Sequence, residues 1–111
     1  RQGKDGDAIQ ELNYVMEKYP QSKIVPLVML RKALLHFRLN QFEEALALAL
    51  ALEETAFADR GIILAGEIYE TKYFETEKAM TSYMRILKEF PNSIFSEPIR
   101  YHIRKIQQTE S

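Results

Sequence analysis

Tyr19-Pro20-Gln21-Ser22 and Phe90-Pro91-Asn92-Ser93 decide how this chain is read. An aromatic, a proline, an amide and a serine recur 71 positions apart, close to two units of ~34–37 residues. The register continues upstream, where Ala8, Leu12, Val15 and Pro20 correspond to Ala79, Tyr83, Ile86 and Pro91. A middle copy is read at Ala45, Ala49 and Leu52, with Phe57 at the place of the proline. Self-similarity at such a period marks units that cannot bury an apolar face alone and stack to do so.

Outward from these junctions the chain reads as helices. Proline lacks an N–H and cannot continue a helix, so Pro20 and Pro91 each close one. Asp7 is expected to cap a helix over 8–19, with Ala8, Ile9, Leu12, Val15, Met16 and Tyr19 as its apolar stripe. Pro26 suits the first turn of a second helix, which runs through Leu27, Leu30, Leu34 and Phe37 and stops near Asn40. A third starts near Phe42. Its Ala/Leu alternation from Ala45 to Leu52 imitates a strand, but Ala is poor in strands and both residues are strong helix formers. On a helical wheel Glu43, Glu44, Ala47, Ala51 and Glu54 share one arc of ~100°, and apolar residues fill the rest. So wide an apolar arc predicts a helix covered on more than one side. A fourth helix is predicted over 58–71 and a fifth over 75–89. A sixth opens at Pro98 and ends near Gln107, with Ile99, Ile103 and Ile106 as one narrow stripe suited to the end of an array.

Composition excludes several classes. The 111 residues suffice for one domain, and 46% apolar with 28% charged residues is a globular balance. A net charge of −1 gives no global attraction to nucleic acid or anionic lipid. Cysteine is absent, so no disulfide or thiolate metal site can form. The longest apolar run, Ala45 to Leu52, is far shorter than the ~20 residues a membrane span needs. No signal peptide is read at residues 1–7, and the opening Arg-Gln-Gly-Lys reads as a cut from a longer protein.

The arrangement resembles the tetratricopeptide repeat, a helix pair with small residues at the crossing and an aromatic in each helix. Gly66, Tyr69, Ala79, Tyr83 and Pro91 look like the family's small residue, aromatic, second-helix alanine, following aromatic and closing proline. One extra residue lies between Tyr69 and Ala79. In the preceding copy Ala33 and Ala45 hold the small positions, His36 and Ala49 replace the aromatics, and Lys32 replaces a leucine. The resemblance implies an all-α, right-handed superhelix of antiparallel helix pairs, about six helices in all. It would hold a partial repeat (8–19), two full repeats (26–54 and 58–90) and a closing helix (97–108) in one domain. The (Tyr/Phe)-Pro-x-Ser junctions are similar to repeats of bacterial envelope assembly and secretion proteins, which favours a bacterial periplasmic setting.

In this family first helices line a groove that receives another protein or peptide. Carried over, the groove positions are Leu27, Leu30, Leu34, Phe37 and Arg38, then Arg60, Ile63, Glu67, Glu70 and Thr71. The last helix adds Tyr101 and Lys105, with a register uncertain by one residue. An apolar helix or an extended segment with basic residues would suit such a groove. The plainer reading packs Leu27, Leu30, Leu34 and Phe37 against the first helix as core. His36 is read as a packed stand-in for an aromatic and His102 as a partly exposed helix residue. Glu67 and Glu70 sit one turn apart, but with no convergent His, Ser or Lys they read as an acidic face. No catalytic, cofactor or metal constellation is found. The expected function is a protein-interaction scaffold, with no nucleic-acid role and no membrane insertion. The alternative is a structural spacer or self-assembly segment that associates through the 8–19 helix, and an enzyme is the third reading.

Overall fold

The computed structural model describes residues 2–110. They form α1 (Gln2–Lys18), α2 (Val25–Arg38), α3 (Phe42–Ala51), α4 (Ala58–Thr71), α5 (Thr76–Glu89) and α6 (Ser96–Glu110). A 3-10 turn over Leu52–Glu54 follows α3, and no strand occurs among the described residues. The fold is an all-α helical repeat, as the periodicity predicts. The chain divides into two compact units, Arg1–Gly61 and Ile62–Ser111, with the boundary inside α4.

The first helix departs from expectation. It begins at Gln2 rather than Ala8, so Asp7 lies inside it and caps nothing. The added stretch carries a contact to α2. Arg38 of α2 donates from Nε to Asp5 Oδ2 at 2.8 Å and from Nη2 to Oδ1 at 3.1 Å. This two-pronged bond ties down a turn that Gly3 and Gly6 would otherwise weaken. The last helix likewise starts before Pro98, which sits in its first turn, and runs past Gln107.

In the first unit α2 packs on both α1 and α3. Ala33, Ala45, Ala49 and Leu52 have no exposed surface. Gly61 is needed at this contact, because a Cβ there would stand 2.5 Å from the Ala49 carbonyl oxygen and 2.8 Å from Leu52 Cβ. The wide apolar arc of α3 is only partly covered: Leu50 remains 41% exposed. In the second unit Ile62, Ala79, Tyr83, Ile86, Ile99, Ile103 and Ile106 form the core. The single stripe of α6 is therefore its buried side. A Cβ on Gly66 would stand 2.6 Å from Tyr83 Cε1, so the ring occupies the space of the missing side chain.

All three junctions use one hydrogen-bond pattern. The Ser22, Thr55 and Ser93 N–H groups donate to the Tyr19, Leu52 and Phe90 carbonyls. Their hydroxyl oxygens accept from the N–H of Ile24, Phe57 and Phe95. This is the turn in which a hydroxyl bonds its own backbone two residues on. It corrects the reading of the middle copy. Glu53, and not Phe57, stands where the proline stands elsewhere, and Phe57 corresponds to Ile24 and Phe95. The reason is length: α3 has 10 residues against 14 in α5, so its junction comes one turn early.

The α2–α3 turn closes on Asn40, whose φ of 63° is tolerated by asparagine. Gln41 N–H donates to His36 O at 2.8 Å and Asn40 N–H to Phe37 O at 3.0 Å, the paired bonds of a Schellman end. In the α4–α5 turn the left-handed residue is Phe74, at φ 55° and 81% exposed.

Candidate functional site

The second unit holds a cleft of about 400 Å³ between α4 and α6, lined by Ile63, Glu67, Glu70, Thr71, Tyr83, Pro98, Ile99 and His102. Ile63, Glu67 and Glu70 share its side because three- and four-residue steps stay on one helical face. Ile99 and His102 are placed the same way on α6. At the centre Glu70 Oε1 accepts two bonds, from the Tyr83 hydroxyl at 2.8 Å and from His102 Nε2 at 2.8 Å. A carboxylate oxygen only accepts, so this arrangement uses the Nε2–H form of the imidazole. The imidazole also meets the Tyr83 ring edge to face, 5.3 Å between centroids at 85°.

Burial, the bond to Glu70 and the charges of Glu70 and Glu67 push the Tyr83 phenol far above its ordinary range, so it stays protonated and donates. Glu67 lies at the open rim. Crowding by protein atoms first, and the Glu70 charge second, raise its carboxyl, while His102 opposes them. The Thr71 hydroxyl is turned onto the backbone, donating to Glu67 O at 2.7 Å. The lining therefore offers no activated nucleophile: one hydroxyl is spent on backbone, and the other is a neutral phenol bound to Glu70. What it offers is negative charge between apolar walls.

The acidic pair thus does have a convergent histidine, against the sequence reading, while His102 is partly exposed on its helix, as read. Glu70 and His102 are 32 positions apart, and no local pattern joins them. Tyr101 and Lys105 do not line the cleft. Tyr101 is 65% exposed, with the Lys105 ammonium 5.6 Å from its ring centre, and the α6 positions facing α4 are Pro98, Ile99 and His102. Arg60 is also elsewhere, over the Phe57 ring at 5.6 Å and 3.6 Å from Asp59.

The first unit has a separate cleft of about 520 Å³ between α1 and α2, lined by Asp5, Ala8, Glu11, Leu12, Arg31, Leu34, Leu35 and Arg38. A smaller apolar one of about 210 Å³ is lined by Leu12, Ile24, Leu27, Val28 and Arg31. Leu27 and Leu34 are about half exposed, so they are not core. Leu30 is half-buried, and Phe37 packs edge to face on Phe42 of α3 at 5.5 Å. Arg38 is held by Asp5 and draws the Asp5 carboxyl below its ordinary range, chiefly through their hydrogen bond. His36 is half-buried, and its Nδ1 lies 2.7 Å from Gln41 Oε1. Among the described residues no group of three or more His, Asp or Glu is arranged to hold a metal ion, and no helix is long and apolar enough to cross a membrane.

Residues 63–93 match the family model described as a tetratricopeptide repeat. The match runs from Ile63 through α5 to the Phe90-Pro91-Asn92-Ser93 junction. No curated protein and no solved structure matches the chain.

Proposed function

From the tetratricopeptide repeat that residues 63–93 carry, we propose that this chain is a docking module which receives a segment of another protein in the α4–α6 cleft. The observation that carries this reading is the open cleft itself, with Ile63, Pro98 and Ile99 as apolar walls and Glu67 and Glu70 as its polar groups. Apolar walls with a few placed polar groups are what a peptide side chain needs for both affinity and orientation. On the first unit, Leu27 and Leu34 are further contact positions by their exposure, with Leu30 and Phe37 behind them. Arg38 contributes to contact only by leaving Asp5.

The test is capture from an extract of the source cells, wild type against Ile63→Lys. A protein retained by wild type and lost with Ile63→Lys, at unchanged thermal midpoint, supports docking in this cleft. Capture indifferent to Ile63 overturns it.

A second reading, self-association through α1, is favoured by Tyr14 and Tyr19, which are 60% and 55% exposed. Sedimentation that stays monomeric over a hundredfold concentration range removes this reading.

A further inference from the structure

We infer that the α4–α6 cleft selects a lysine or arginine side chain, carried next to an apolar residue of the docked segment, with Glu67 as its counter-ion and Glu70 as a positioning carboxylate. The inference rests on the docking reading above and specifies the chemistry of the occupant.

Charge complementarity carries it. The lining contains two carboxylates and neither lysine nor arginine. The titratable groups that face the cleft are Glu67 and Glu70 of α4, Tyr83 of α5 and His102 of α6. Three of these are committed to one another: Tyr83 and His102 both donate to Glu70 Oε1. Glu70 is thereby locked in one orientation by two donors on different helices. Glu67 is left over, with no side-chain hydrogen bond or salt bridge among the described residues. Its carboxyl is raised for the same reason: crowding by protein atoms and the Glu70 charge outweigh the opposing attraction of His102. A docked ammonium or guanidinium would offset both. A neutral apolar segment would instead desolvate Glu67 further, and an acidic one would be repelled. Ile63, Pro98 and Ile99 give the aliphatic stem of the basic residue, or its apolar neighbour, a wall to lie on.

The experiment selects 12-residue peptides from a phage-displayed library on the full chain. The selected sequences are then synthesised with their basic residue intact or as acetyl-lysine, and read by fluorescence anisotropy. The expected result is enrichment of Lys or Arg beside an aliphatic residue. Acetylation should weaken binding by roughly tenfold, in the range of a charge-assisted hydrogen bond. Glu67→Gln should abolish the difference between lysine and acetyl-lysine without lowering the thermal midpoint, whereas Glu97→Gln, on the exposed side of α6, should keep it. Peptides that need Ile63 but carry no basic residue, or that ignore Glu67→Gln, overturn the cation selection and leave the docking reading standing. If no selected peptide depends on Ile63, both fall.

Discussion

In the α2–α3 pair the helix crossing is built of alanines, and in the α4–α5 pair it is built of a glycine against a tyrosine. Ala45 and Ala79 are equivalent, 34 positions apart and both fully buried, as are Leu52 and Ile86. Between them Ala49 of the first pair corresponds to Tyr83 of the second. At Ala49 it is the backbone carbonyl that Gly61 must clear, while at Tyr83 it is the ring itself that requires Gly66 to have no side chain. The second pair also runs one turn longer, and Leu87 and Phe90 in that turn pack on the core. One larger residue at a crossing thus does more than occupy volume. Its hydroxyl reaches Glu70 and its ring backs His102, so the polar cluster of the second pair has no counterpart an alanine could make.

The largest expected effect is on Tyr83 itself. Tyr83→Ala gives the second pair the alanine of the first, but empties the space that the ring fills beside Gly66. A loss of about 3–5 kcal/mol in urea denaturation is expected, typical of deleting a buried aromatic. Next come the glycines. Gly66→Ala and Gly61→Ala should each cost about 1–3 kcal/mol by overpacking. They differ in what relieves them. Gly66→Ala meets a side chain, so in the Tyr83→Ala background its cost should vanish and the helix-propensity gain of about 1 kcal/mol should appear. Gly61→Ala meets the Ala49 carbonyl, and no change at position 83 should rescue it. Equal costs of Gly66→Ala in the two backgrounds would break the comparison.

A smaller effect of opposite sign is expected at the turns. Asn40 and Phe74 are 34 positions apart and both left-handed, but only asparagine tolerates that backbone well. Phe74→Asn removes little packing from so exposed a side chain and should stabilise by about 0.5–1 kcal/mol. The smallest effect concerns Asp5, whose folded pKa is depressed by Arg38. Its contribution is present above the ordinary carboxylate range and is lost as pH falls through the depressed value. Asp5→Asn should therefore lower the thermal midpoint slightly at neutral pH, and the difference should close in acid. A difference independent of pH would mean that the ion pair is not its source.

Much of the fold was legible in the sequence because helices depend on near neighbours. The span of α4, the stop at Asn40 and the single stripe of α6 follow from apolar spacing and from residues that end helices. That Ile63, Glu67 and Glu70 share one face of α4 follows from their three- and four-residue spacing. The rest depended on distance through space. Asp5 and Arg38 are 33 positions apart, and their bond lies in the stretch by which α1 starts early. The early end of α3 shifts the middle junction to Thr55, which a proline-based alignment misses when the proline has been replaced. A one-residue rotation of α6 puts His102 against Glu70 and leaves Tyr101 and Lys105 outside.

By itself the sequence determined that the chain is all helical, where its helices lie to within about a turn except at the start of α1, and that small residues recur where helices cross. Those properties rest on 3.6-residue periodicity and on the local chemistry of Pro, Asn and Ser. Only the tertiary structure decided that Tyr83, Glu70 and His102 form one cluster and that the Glu67 carboxylate has no hydrogen-bonded or ion-paired partner among the described residues. Hydrogen bonds between helices require a rotational register, which packing sets and sequence spacing does not.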